Sequence, residues 1–239
     1  MTSAIWWGAF AAFSLVLGAI LALVRSWPGR LVGLVLAFGA GALVSAVSFE
    51  LFEEGIDLGG AWPVGLGLGV GALTYFGLDR VLEPAHPAGR AHPRKSAAGS
   101  ALALGAFLDG VPEQMVLGIG LAGGSGVSVS LVVAIFVSNL PEAIGSASEM
   151  RAAGEPAPRI VLLWVAVAAV CTLATIAGYA IADAVSDTVK AAIDGFAAGA
   201  LLVMLVDSMI PEARQKAGRA AGLVTVLGFA VAAGLSALS

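Results

Sequence analysis

Three carboxylates stand inside apolar runs, where a carboxylate is costly. Asp109 and Glu113 lie four residues apart, and Glu142 follows Ser138 and Asn139 by four and three. On a helix each set shares one face. Oxygen donors gathered on two helices can hold a cation or pass a proton. A charge at the bilayer centre costs roughly 2.5–3.5 kcal/mol on insertion scales, so three facing lipid would cost on the order of 8–10 kcal/mol. They are expected to face a cavity, an ion or each other. Pro112 and Pro141 sit beside them. Each lacks an N–H and leaves the carbonyl four residues back, at Leu108 or Val137, without its donor. Inside a membrane such carbonyls are tolerated where they line a polar cavity. The set is rich in oxygen and has neither imidazole nor thiolate. It suits Zn²⁺, Mn²⁺ or Fe²⁺ without singling out zinc. Two rival readings use the same residues. The acids can share a proton and tie the bundle together, or they can relay protons.

Composition says which elements must carry these residues. Of 239 residues, 59% are hydrophobic and 12% charged, and mean hydropathy is +0.97. A soluble domain has about 25% charged residues. A soluble enzyme, a disordered chain and a disulfide scaffold are excluded, the last because Cys171 is the lone cysteine. A net charge of −4 gives no reason to expect a nucleic-acid partner. The expected class is an all-α polytopic membrane protein, one transmembrane domain over 1–239. About 20 apolar residues cross a bilayer. Eight spans are read at 4–24, 31–53, 61–82, 97–121, 126–150, 160–184, 189–212 and 217–238. No basic residue precedes the first run, so it reads as a retained helix rather than a signal peptide.

Loop charge sets the orientation. With the loops alternating between sides, eleven basic residues fall on one side and Lys190 alone on the other. The positive-inside rule then puts both termini outside a cytoplasmic-type membrane. Two stretches repeat. Residues 38–55 read FGAGALVSAVSFELFEEG and residues 196–213 read FAAGALLVMLVDSMIPEA. Asp109-Gly-Val-Pro-Glu113 is echoed by Ser138-Asn-Leu-Pro-Glu142. The members of each pair run in opposite directions across the membrane. Inverted repeats around a midplane site are a mark of secondary transporters.

Other polar residues sketch a path. Glu149, seven residues past Glu142, with Asp207 and Glu212, would form an inner exit. Glu50, Glu53, Glu54 and Asp57 would draw cations to the outer mouth. Ordinary interfacial charge is the alternative for all of them. The inner loop 83–96 holds His86 and His92 among Arg90, Arg94 and Lys95, too few histidines to define a site. Glycines 65, 67, 69, 71 and 77 of the third span allow close helix approach, either as tight packing or as a sliding surface. There is no Walker A, no nucleophile–base pair and no H-E-x-x-H. No enzyme activity and no cofactor are expected.

Taken together, these motifs resemble the ZIP (Zrt/Irt-like) family of metal-ion transporters over essentially the whole chain. Asp109-Gly110-Val111-Pro112-Glu113-Gln114 is similar to the family's fourth-helix H-N-x-P-E-G. Ser138-Asn139-Leu140-Pro141-Glu142-Ala143 is similar to its fifth-helix [HQ]-[DEN]-[IL]-P-E-G. Asp207 to Ala213 resembles its D-E-L-I-P-E-A string. The resemblance implies eight helices in a 3+2+3 inverted-repeat bundle with both termini outside. It implies inward transport of a divalent metal by alternating access, with lipid around the chain and a homodimer allowed. It implies one metal on Asp109, Glu113, Asn139 and Glu142, with Ser138, Glu149, Asp207 and Glu212 in secondary roles. Asp109 replaces the usual His and Gly110 the usual Asn, and where two-metal members have a Glu on the sixth helix, span six offers only Cys171 and Thr172. A ZIP-like protein without transport, and a proton-coupled carrier of another solute, remain the alternatives.

Overall fold

Lipid offers no hydrogen bonds, and a helix satisfies its backbone within a single segment. All regular elements among the described residues are helices. The computed structural model describes residues 1–82, 110–122, 128–182 and 184–238. In chain order these are α1 (Thr2–Val24), α2 (Gly29–Gly59), α3 (Ala61–Leu82), α4 (110–122), α5 (Val129–Ala152), α6 (Ala157–Ala182), α7 (Asp187–Ala217) and α8 (Ala220–Ser236). Six are long and apolar enough to cross a membrane; the described part of α4 and α8 are shorter. Residues 97–109 of the fourth span, loop 83–96 with His86 and His92, and the glycines at 123, 124 and 126 lie outside the described residues.

Helices α2 and α7 extend past the expected ends of 53 and 212. Each carries a π-helical segment, Val47–Glu53 in α2 and Leu205–Met209 in α7, and then resumes as α-helix. Both are 31 residues long, about 46 Å at the α-helical rise and more than a bilayer core needs. Gly60 (φ 90°) and Gly218 (φ 65°) follow their ends. Such left-handed backbone is open to glycine at no steric cost. Pro28 and Pro158 stand at helix starts, where a missing N–H costs nothing, and Pro211 stands where α7 resumes as α-helix after its π segment.

Glycine decides which helices meet. A Cβ on Gly199 would overlap the Leu68 carbonyl oxygen, and one on Gly71 would overlap that of Phe196. So α3 and α7 pack backbone to backbone. The same arrangement joins α2 to α8, where Gly41 meets the Thr225 carbonyl and Gly228 that of Phe38. Phe38 and Gly41 match Phe196 and Gly199 in the repeated sequence, so the repeat read from sequence is a repeat of packing.

Contact order along each pair gives direction. Gly67 and Gly71 of α3 face Ala192 and Phe196 of α7. On α1, Phe10 stacks on Phe136 at 5.4 Å, Gly18 meets Leu140, and the Ala22 and Leu23 carbonyls accept from Arg151 at 3.2 and 2.9 Å. On α4, Gly110 meets Cys171 and Gly118 meets Tyr179 of α6. On α2, Phe38 meets Gly228 and Glu50 meets Ser236 of α8. All four pairs are parallel, and each joins odd to odd or even to even, as strict alternation of eight helices requires. One buried core centres on α2, α7 and α8 with parts of α4 and α5, and a second on α1, α5 and α6 around Trp164. Helix α2 spans the two through its contact with α5.

Candidate metal centre

The site is built from α4 outward. Its described part opens at Gly110 and carries Pro112 in the first turn. Glu113 is 1% exposed and Gln114 fully buried. Glu113 therefore faces protein rather than lipid, as the insertion cost demands. Asp109 lies outside the described residues, and so does Leu108 with its carbonyl.

Helix α5 supplies the second set. It runs unbroken from Val129 to Ala152 with Pro141 inside it. Ser138 and Asn139 are buried and Glu142 is half-buried one turn on. The Ser138 hydroxyl donates to the Ile135 carbonyl of its own helix at 3.0 Å, so its proton is already committed. The Asn139 amide nitrogen is buried with no hydrogen-bond partner among the described residues. An idle amide in an apolar bundle can turn its oxygen to a cation. Val137, whose carbonyl loses its donor to Pro141, lies against Gly39 of α2. That carbonyl is covered by a close helix, where a polar cavity was expected.

Helix α6 contributes more than the sequence reading gave it. Cys171 is fully buried, and a Cβ on Gly110 would stand 2.7 Å from its Sγ. A thiol therefore lies beside the residue that follows Asp109. One turn on, the Thr175 hydroxyl donates to the Gln114 side-chain oxygen at 2.5 Å. Gln114, where the family motif has glycine, thus ties α4 to α6. Cys171, one of the few polar residues of the sixth span, was the available signal.

The secondary residues divide. Glu212 is ion-paired with Lys216 on its own helix, and a Cβ on Gly145 of α5 would lie 3.6 Å from its Oε1. This sets Glu212 beside α5 about one turn past Glu142. Glu149 is exposed. Asp207 is exposed in the π segment of α7 and lines an apolar cavity of about 400 Å³ with Leu68, Phe76 and Val203. It stands on the α3 side of α7.

At the other end of α2, Glu50 accepts hydrogen bonds from three serines. Ser128 reaches Oε2 at 2.5 Å, Ser236 reaches Oε1 at 2.7 Å, and Ser130 also donates to Oε1. Glu53, Glu54 and Asp57 are exposed nearby. The sequence reading passed over Asp194 of α7, which is 4% exposed. Its signal was plain, an acid inside the apolar run AAIDGFAAGALL. Among the described residues no three His, Cys, Asp or Glu side chains are grouped to hold a metal. Of the four expected ligands, Glu113, Asn139 and Glu142 are among the described residues and Asp109 is not.

Comparison with known proteins bears on the same segment. The model of the ZIP Zinc transporter family matches residues 83–236. The chain is 27% identical over 212 residues to the zinc transporter ZupT of Salmonella paratyphi A (strain ATCC 9150 / SARB42), covering 83% of this chain and 82% of that protein. The ZupT proteins of Salmonella newport (strain SL254) and Salmonella enteritidis PT4 (strain P125109) match with the same identity and coverage.

Proposed function

The chain belongs to the ZIP zinc transporter family, and we propose that it carries divalent metal cations, zinc first among them, inward across a cell membrane. Metal is the cargo, and the chain is a carrier rather than an enzyme. The ligands are Asp109, Glu113, Asn139 and Glu142 at mid-depth on the fourth and fifth helices. The observation that carries this reading is Glu113, a carboxylate 1% exposed in the interior of an apolar bundle. A charge so placed needs a counter-charge or a cation. Asn139 is likewise buried, on α5, and its amide nitrogen has no hydrogen-bond partner among the described residues. The similarity to ZupT proteins supplies zinc as the cation to test first.

Each residue then has a task. Glu113 and Glu142 neutralise the ion, and Asn139 adds a neutral oxygen. Cys171, beside Gly110, offers a softer donor at the edge of the set, which would favour Zn²⁺ over harder ions. Glu212 and Glu149 receive the ion on the inner side. Both termini lie outside, because eleven of twelve basic residues then face the cytoplasm.

Uptake into proteoliposomes tests this, with Zn²⁺, Mn²⁺, Fe²⁺ and Cd²⁺ offered separately. Wild type should accumulate zinc, and Glu113→Ala/Glu142→Ala should fall to the background of empty liposomes. Uptake that survives in the double variant would move the site elsewhere. Failure of correctly inserted wild type to move any metal would overturn the transport reading.

A further inference from the structure

Asp194 has no task in the path described above. It lies seven residues into α7, inside a membrane-spanning helix, and 4% of its surface is exposed. No hydrogen bond or ion pair to it occurs among the described residues. A carboxylate buried without such partners is costly. Inside a membrane span, an ionisable residue of this kind marks an ion path more often than a structural contact.

Its surroundings are specific. The last turn of α2 packs against the first half of α7. A Cβ on Gly55 would stand 3.4 Å from the Asp194 Cβ and 3.0 Å from Val64. Glycine at 55 thus lets the backbone of α2 approach Asp194 closely, with Glu54 the preceding residue on α2. Glu54 and Lys190 are the charged groups that act on Asp194. Lys190, one turn away on the same helix, is bound to Asp187 at 3.1 Å. Lys190 thus lies between two acids and is in hydrogen-bond contact only with Asp187. Glu54 is exposed, and Asp57 is exposed a turn further along α2. An exposed carboxylate thus leads inward to a buried one.

We propose that Glu54 and Asp194 form a second cation site, between α2 and α7, that takes a hard and partly hydrated divalent cation. Two carboxylates with water filling the remaining positions suit Mg²⁺ or Mn²⁺. Neither His nor Cys is on hand to favour a softer ion. The site is separate from Glu113 and Glu142, and only its place on the outer side rests on the orientation given above.

Mn²⁺ binding to the full-length protein in nanodiscs, read by loss of the free-ion EPR signal, tests it. The double variant Glu113→Gln/Glu142→Gln should retain one bound Mn²⁺ per chain. Adding Asp194→Asn should abolish it, and adding Glu54→Gln instead should weaken it about tenfold, while adding Asp57→Asn should leave it unchanged. If the double variant binds no Mn²⁺, or if Asp194→Asn leaves the isotherm unchanged, the proposal is overturned. Should Asp194→Asn fail to fold, Glu54→Gln decides: an unchanged affinity overturns the site. A wild type with one bound Mn²⁺ that Asp194→Asn removes and Glu113→Gln/Glu142→Gln keeps would support this site and count against the midplane one.

Discussion

Helices α2 and α7 are built to the same plan and do different work. Each is 31 residues long and carries a π-helical segment in its second half. Each lays a Phe carbonyl and a glycine against a small-residue face of a parallel partner. Phe38, Glu54 and Gly60 of one have Phe196, Glu212 and Gly218 of the other at matching spacing. The side chains on this common backbone part company. On α2, Glu50 is fastened to serines of α5 and α8. The matching stretch of α7 leaves Asp207 and Ser208 exposed. Glu212 has Lys216 as an ion-pair partner, whereas no ion pair to Glu54 occurs among the described residues. The repeat thus fixed packing and left charge free to diverge. An inverted repeat gives each end of the molecule a similar backbone, and the two ends face different solutions.

Three tests would break or sharpen that contrast. The largest effect is expected from the shared part. Gly41→Ala and Gly199→Ala each drive a methyl into a backbone carbonyl of the neighbouring helix. Backbone cannot move aside as a side-chain tip can, so each should cost about 3 kcal/mol, at the upper end for overpacking. Thermal unfolding in detergent reads this, with Gly69→Ala as control because Gly69 faces open space. If one of the pair is harmless, the packing repeat is geometric and not energetic.

The next effect belongs to the divergent part. Glu50→Ala takes the acceptor from the buried Ser130 hydroxyl and from two further serines, and should cost about 2 kcal/mol. Ser208→Ala, at the matching place on α7, should stay within about 0.5 kcal/mol. Equal losses at both would mean that the serine contacts add nothing. The smallest effect is at the Glu212–Lys216 pair. Its side chains are 39% and 26% exposed, so Lys216→Ala should cost under about 1 kcal/mol, and less in high salt. A loss that salt does not reduce would show that Lys216 acts through its packing on Gly33.

The burial of several candidate-site residues was legible in the residues themselves. Glu113 announces burial by being a carboxylate in an apolar run, and it is buried. Asn139 and Ser138 follow by helical spacing from Glu142. What escaped notice was Asp194, although it obeys the same rule. It was missed because no proline or motif surrounds it. The role of Gln114 also could not be read, because its partner Thr175 lies 61 residues away on α6.

Helix class, alternation and the repeat are properties of local hydropathy, charge and spacing, so the sequence alone determined them. Which helices touch, and which faces they turn inward, belonged to the tertiary structure. A water-soluble helix shows its buried face by polarity, but a membrane helix is apolar all round. On α6, Leu162 and Leu173 are 69% and 61% exposed while Trp164 is 1% exposed, and nothing in their types separates them. Close approach of glycine to a distant carbonyl sorts the faces instead. That contact joins residues more than a hundred positions apart, such as Gly199 and Leu68, and only the assembled bundle brings them together.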